Sequence, residues 1–217
     1  MADGKNYLPS PSQPRLTTLN RKRKEYSQLV DQYFGRGLAL LDQQVSRLAF
    51  AKPRARAELT PQIWHQIEID VPRTRPGVPL WSCITAQRVS LTLHMAFNAN
   101  IQALERILYV WAIRHPASGY VQGINDLVCP FFQVFLSAYI GESGRPSLAL
   151  LLKIDSDPEL FDVVHLPADA LAAIEADTFW CLSKLLDGIQ DNYISQQPGI
   201  QRLVKRMGDL VKRIDGK

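Results

Sequence analysis

The sequence predicts an all-α fold: an irregular multi-helix array. Three observations carry this. Apolar residues recur with the 3.6-residue period in stretch after stretch. No strand-like alternation runs longer than four residues, and no internal repeat is present. The 217 residues are 46% apolar and 21% charged, ordinary globular usage. A chain of this length buries about 70% of its unfolded surface, which excludes a disordered, collagen-like or disulfide-stapled polypeptide.

Residues 1–20 hold three prolines and many small polar residues, the composition of an extended polar lead-in. From Lys22 to Phe34 the residues Tyr26, Leu29, Val30 and Tyr33 recur at helical spacing, and Gly35 and Gly37 stop the pattern. A second helix is expected from Leu38 to Ala51. Thr60 and Pro61 form an N-cap with proline at the first helical position, and the short helix that follows turns Ile63, Trp64 and Ile67 inward. Pro72, Pro76 and Pro79 break the chain after Asp70, so the segment from Asp70 to Gly77 reads as a loop.

Residues 99–114 form a strong helix with Ile101, Leu104, Ile107, Leu108, Trp111 and Ala112 on one face, ended by Pro116 and Gly119. The next helix runs from about Asn125 to Ile140, bent or started near Pro130. Residues 141–167 are weakly patterned and read mostly as loop or insertion. Over 168–192, Leu171, Ile174, Phe179, Leu182, Leu185, Leu186 and Ile189 keep the helical period, with Gly188 as a notch. Pro198 and Gly199 open a last helix striped by Ile200, Leu203, Val204, Met207, Leu210, Val211 and Ile214. Its opposite face carries Arg202, Lys205, Arg206, Lys212 and Arg213.

The net charge is +4, unevenly placed. Residues 1–60 carry 11 Lys+Arg against 5 Asp+Glu; the rest carry 14 against 16. The excess centres on Arg21, Lys22, Arg23 and Lys24. A docking patch for an acidic partner or an anionic membrane is one reading, and a solvated helix start is the simpler one. No groove interleaves aromatic and basic residues, which argues against nucleic acid as a partner. Cys83, Cys129 and Cys181 are odd in number, far apart and set in apolar stretches, so reduced buried thiols are expected rather than a zinc site or disulfides. The four histidines show no ligand spacing. No signal peptide opens the chain, and the most apolar run, Leu127 to Ile140, is too short to span a bilayer. A soluble, cytoplasmic protein is the expectation.

Walker, dinucleotide, GxSxG, HExxH and EF-hand motifs are all missing from the sequence. Any catalytic role must therefore lend residues to another protein's site. Two loops are chemically loaded. Ile67-Glu-Ile-Asp70-Val-Pro-Arg73-Thr74 sets an arginine on a proline-stiffened loop, and a planar, permanently charged guanidinium suits phosphate oxygens. Gly119-Tyr120-Val-Gln122-Gly123-Ile-Asn125-Asp126 brackets a glutamine with glycines and follows it with helix-capping residues. Taken singly, each loop also reads blandly: a surface arginine or one paired with Asp70, and a capped helix–helix turn.

Together, Ile-x-x-Asp-x-x-Arg-Thr followed by Tyr-x-Gln-Gly resembles the two signature motifs of the TBC domain, the Rab GTPase-activating module. The likeness extends over about 21–82, 103–140 and 168–215. Arg-Lys-Arg-Lys-Glu-Tyr (21–26), Trp-His-Gln-Ile (64–67), the run from Glu105 to Tyr120, the run from Ile174 to Tyr193 and Gln-Pro-Gly-Ile (197–200) look like the Golgi-linked fungal and animal subfamily. The resemblance implies that Arg73 and Gln122 are catalytic. Arg73 is the arginine finger, and Gln122 orients the attacking water in place of the GTPase's own glutamine. Asp70 orients Arg73 or its loop, Asn125 and Asp126 shape the glutamine loop, and Thr74, Tyr120 and Gly123 complete the motifs. The implied partner is a Rab-family GTPase in its GTP form. Magnesium and GTP come with that partner, and the chain has no cofactor or metal of its own. A peripheral place on Golgi membranes is implied too.

The chain departs from the family pattern in three places. The family's opening helix before Tyr-Leu-Pro is missing ahead of Asn6-Tyr7-Leu8-Pro9, and the helical half after Arg-Ile-Asp is missing beyond Asp215. Residues 21–217 are therefore expected to be a partial TBC domain. Between Trp81 and Leu104 the chain is also longer than the family connection. Val-Ser can be encoded by GTAAGT and Gln by CAG, so Val89–Gln102 reads either as a translated retained intron or as a surface insertion. Transcript sequence across this range separates the two. Three functional readings follow: a GTPase activator acting in trans; a catalytically inactive truncated helical module that binds a GTPase or partner helix; and a truncated product without a stable fold. The last helix, uncovered, is expected to favour self-association.

Overall fold

The computed structural model describes residues 12–34, 60–81, 99–142, 157–161, 163 and 166–215. Among them the regular structure is six α-helices and three 3-10 segments, with no strand. The helices are α1 (Ser12–Phe34), α2 (Thr60–Asp70), α3 (Ala99–Arg114), α4 (Ile124–Glu142), α5 (Ala168–Asp187) and α6 (Pro198–Ile214). The 3-10 segments are Val71–Arg73, Pro79–Trp81 and Gln190–Asn192.

α3 is the centre. It packs against α1, α2, α4 and α5, and α4 and α5 make the most extensive pairing of all. The six apolar residues expected on one face of α3 are all buried. So are Ala103, Tyr109 and Val110, because neighbours cover α3 on more than one side. Tyr109 is met by Tyr33, Phe34 and Trp64, with ring centroids 5.5–6.3 Å apart and planes steeply inclined, the favoured aromatic arrangement. This cluster joins α1, α2 and α3. Trp81 is fully buried against Phe132 of α4, centroids 5.3 Å apart.

Several boundaries differ from expectation. The extended lead-in gives way to helix already at Ser12, because α1 propagates outward from its packed segment and Pro14 falls in the first turn, where proline is tolerated. The segment after Asp70 tightens into a 3-10 turn before the loop proper. α4 starts at Ile124, six residues before Pro130, which is inside the helix with its side chain exposed. Gly188 ends α5, its N–H reaching the Leu185 and Leu186 carbonyls. The helix expected over 38–51, Cys83 and residues 89–98 lie outside the described residues. The remainder of the 89–102 stretch starts α3: Asn100 is buried, and its side-chain amide donates to the Leu80 carbonyl.

Arg21–Lys24 is not a free basic patch. Arg23 forms a two-pronged bond to Asp177 of α5 (3.0 and 2.6 Å), Arg21 and Lys22 pair with Glu25, and Lys22 caps the Trp180 ring at 3.7 Å. Deeper, Arg106 of α3 donates twice to Glu175 of α5 (2.8 and 2.6 Å), and Tyr26 of α1 donates to the same carboxylate at 2.7 Å. Three helices thus meet on one buried acid. Burial alone would lower the Arg106 pKa, but the Glu175 charge raises it further, so the guanidinium stays charged.

Glu105, next to this pair, titrates differently. Burial pushes its carboxyl up to about 7; Arg106 pulls it down and Glu68 pushes it up again. A carboxyl raised on folding binds its proton more tightly in the native state, so its ionisation weakens the fold. The penalty is absent below about pH 4, grows through the interval up to about 7 and is complete above it. Glu105→Gln is therefore expected to stabilise the chain by about 1–3 kcal/mol at pH 8 and by little at pH 4. Thermal melts at the two pH values check this; equal gains at both would contradict it.

Cys129 and Cys181 are buried free thiols. Burial pushes them up to about 12 and about 11, so both stay protonated and unreactive at neutral pH. No helix among the described residues is long and apolar enough to cross a membrane.

α6 stands apart. Beyond the 3-10 segment Gln190–Asn192 it makes little contact, and every apolar residue of its stripe is exposed, Ile214 at 78% and Met207 at 68%. Its root is fixed: Gly199 is buried against Asp191 and Asn192 so closely that a Cβ there would overlap the Asn192 side chain, and Arg202 pairs with Asp191.

Candidate functional site

The two motif loops are built by helix ends. α2 runs into the 3-10 turn Val71–Arg73, where Val71 is fully buried and anchors the turn to the core. The Thr74 N–H closes it by donating to the Val71 carbonyl at 3.0 Å. Arg73, between these two anchors, is exposed and makes no hydrogen bond or ion pair with any described residue. The second loop starts where α3 stops. Gly119, at φ +60°, donates to the His115 carbonyl (2.8 Å) in a left-handed helix cap that favours glycine. Tyr120 turns back into the core at 7% exposure, and Gln122 points outward. Gly123 takes φ +97°, a conformation that side chains with a Cβ rarely adopt. Its N–H donates to Asn125 Oδ1 at 2.9 Å, and the Ile124 N–H donates to the Val121 carbonyl at 3.2 Å as α4 begins.

The fold brings these loops together. The Tyr120 hydroxyl donates to Asp70 Oδ2 at 3.1 Å. Asn125 Nδ2 donates to Thr74 Oγ1 at 2.7 Å, and Thr74 Oγ1 donates to the Asp70 carbonyl at 3.2 Å. Burial, then the Asp70 charge, raises the Tyr120 pKa well above the usual phenol range, so the phenol remains a donor. Asp70, expected to orient Arg73 or its loop, spends its carboxylate on Tyr120 and makes no bond to Arg73. Asn125, expected to shape the glutamine loop, accepts the Gly123 N–H within that loop. Asp126 is exposed in the first turn of α4, where its charge favours the helix N-terminus.

Sequence reading missed Arg75. It occupies the left-handed region (φ +45°), and its guanidinium donates to Gln133 of α4 at 3.1 Å and lies 3.5 Å from Glu159. Gln133 donates to Glu159 in turn at 3.1 Å, and the Glu159 carbonyl accepts from the Leu80 N–H at 2.9 Å. This network braces the arginine loop from its far side. No local signal announces it, since its members lie 58 and 26 residues apart in sequence. Among the described residues no cluster of His, Cys, Asp or Glu is arranged to hold a metal ion.

The described residues form an all-α module with an exposed arginine and an exposed glutamine on two joined loops, the arrangement on which the TBC-like motifs fall. The comparisons with known proteins agree. The family model of the Rab-GTPase-TBC domain matches residues 41–217. TBC1 domain family member 22B of Homo sapiens is 46% identical over 209 residues, 96% of this chain and 32% of that protein. The GTPase-activating protein gyp1 of Schizosaccharomyces pombe is likewise 46% identical over 209 residues, again 96% and 32%. The crystal structure of the Ypt/Rab-GAP domain of Gyp1p matches with a TM-score of 0.70 at 40% identity, covering 100% of this chain and 54% of that one. The chain belongs to the Rab-GTPase-TBC domain family. It spans about a third of the length of the curated relatives it matches.

Proposed function

We propose that the chain is a GTPase-activating module for a Rab-type small GTPase in its GTP form. The observation that supports this most directly is the pair of motif loops: Arg73 and Gln122, both exposed, both free of described partners, and carried on loops hydrogen-bonded to each other. Hydrolysis of GTP needs little covalent help from protein; it needs positioning and stabilisation of developing charge. Arg73 neutralises charge on the transferring phosphoryl group, and Gln122 orients the attacking water. Magnesium and nucleotide arrive with the GTPase. The names of the matched relatives, a Ypt/Rab-GAP domain and a GTPase-activating protein, support the same reading.

A phosphate-release assay of this chain against a panel of GTP-loaded Rab proteins tests it; acceleration of at least one member is expected. A rival reading, a helical module that binds without accelerating hydrolysis, is favoured by the uncovered stripe of α6. Binding by a panel member with no acceleration would select the rival. Self-association through that stripe belongs to either reading: sedimentation velocity is expected to show concentration-dependent mass that Met207→Glu abolishes. A cytoplasmic, Golgi-peripheral location rests on the subfamily resemblance, and a tagged chain that stays off Golgi membranes would remove it.

A further inference from the structure

We propose that Tyr120–Asp70 and Asn125–Thr74 couple the arginine loop and the glutamine loop into one unit, so that Arg73 and Gln122 are positioned together rather than separately. The proposal rests on the finger roles given above. Asp70 and Thr74 stand on either side of Arg73 in the chain; Tyr120 and Asn125 stand on either side of Gln122. Each finger therefore lies between two bridges to the other loop. Each bridge is also fastened at home: Thr74 Oγ1 donates to the Asp70 carbonyl, and Asn125 Oδ1 accepts the Gly123 N–H. Thr74, Tyr120 and Asn125 are all buried, so water does not readily replace a lost partner. The finger side chains have no described partner of their own, which leaves the backbone of each loop, fixed by the other loop, to set their direction. Tyr120, Thr74 and Asn125 are thus positioning residues.

Amide hydrogen exchange on the 217-residue chain tests the coupling without any GTPase. Thr74→Val keeps the shape and removes the hydroxyl that Asn125 requires. It is expected to speed exchange at Gly123 and Ile124 about tenfold or more, while α5 amides are unchanged. Thr74→Ser, which keeps the hydroxyl, is expected to leave all of these as in the parent. In the reverse direction, Tyr120→Phe is expected to speed exchange at Thr74. Faster exchange confined to the substituted loop would overturn the proposal.

In stimulated hydrolysis, Tyr120→Phe is expected to lower kcat about tenfold with the KM for the GTPase little changed, since a small misplacement of catalytic groups is costly. It is expected to add nothing in an Arg73→Ala background. If Arg73→Ala itself has no effect, the finger reading fails while exchange still judges the coupling. If Arg73→Ala cripples the chain but Tyr120→Phe acts fully in addition to it, the coupling fails alone.

Discussion

Arg73→Ala is expected to return stimulated GTP hydrolysis nearly to the GTPase's intrinsic rate, a loss on the order of 10³–10⁵-fold, or roughly 4–7 kcal/mol of barrier. The reason is electrostatic. The γ-phosphoryl group spreads negative charge over its oxygens in the transition state, and a guanidinium supplied from outside meets that charge where water is excluded. Because the interaction strengthens in the transition state, the loss should fall on kcat more than on affinity for the GTPase. Arg73→Lys should rescue little, since an ammonium lacks the planar fork that engages two oxygens. Gln122→Ala removes the amide proposed to orient the attacking water and should be similarly damaging. Arg73 is exposed and makes no bond to a described residue, so the alanine variant should melt like the parent. Single-turnover phosphate release settles the matter: a variant that keeps a tenth or more of the stimulated rate refutes the assigned role.

The largest effect on stability is expected at Glu175. Its carboxylate, 5% exposed, takes two bonds from Arg106 and one from Tyr26. Glu175→Ala leaves a buried guanidinium without a counter-charge and a buried phenol without an acceptor. Breaking such a pair costs about 3–5 kcal/mol, a large part of the roughly 5–15 kcal/mol by which a domain is stable. For a chain of this size that lowers Tm by roughly 10 °C or more. The triple replacement Tyr26→Phe, Arg106→Met, Glu175→Leu should recover most of the loss, because a well-packed apolar set carries no desolvation cost and leaves no buried phenol without an acceptor. Denaturant and thermal unfolding measure both. A single variant within about 1 kcal/mol of the parent would show that the pair is not energetically important. The triad also bears on function, since it holds α1, α3 and α5 together and α3 leads directly into the glutamine loop.

Much of the fold was legible in the sequence because it rests on local rules. The helical period placed α3 and α6 within a residue of their observed limits, and Thr60–Pro61 marked the start of α2. The helical period alone makes Gly188 a notch, whereas in the fold it ends α5. Proline-rich composition suggested an extended lead-in where α1 is already helical, because composition does not register a helix extended by neighbouring packed turns. Both finger candidates were legible, since their motifs are contiguous. Their mutual arrangement was not: the Tyr120–Asp70 bond spans 50 residues and the Asn125–Thr74 bond 51. The basic run at 21–24 looked like a surface patch because the partner of Arg23 lies 154 residues away.

The sequence by itself determined the all-α class and the two family-like motifs, Ile67–Thr74 and Tyr120–Gly123. Periodicity, caps and turn residues act over a few positions, so they are written in neighbouring letters. Only the tertiary structure decided that Asp70 serves Tyr120 rather than Arg73, that Arg75 braces its loop, and that Glu175 is shared by two helices. Those choices depend on which buried polar groups come within hydrogen-bond reach once the helices pack. Burial then makes the right pairing stabilising and any unpaired group costly.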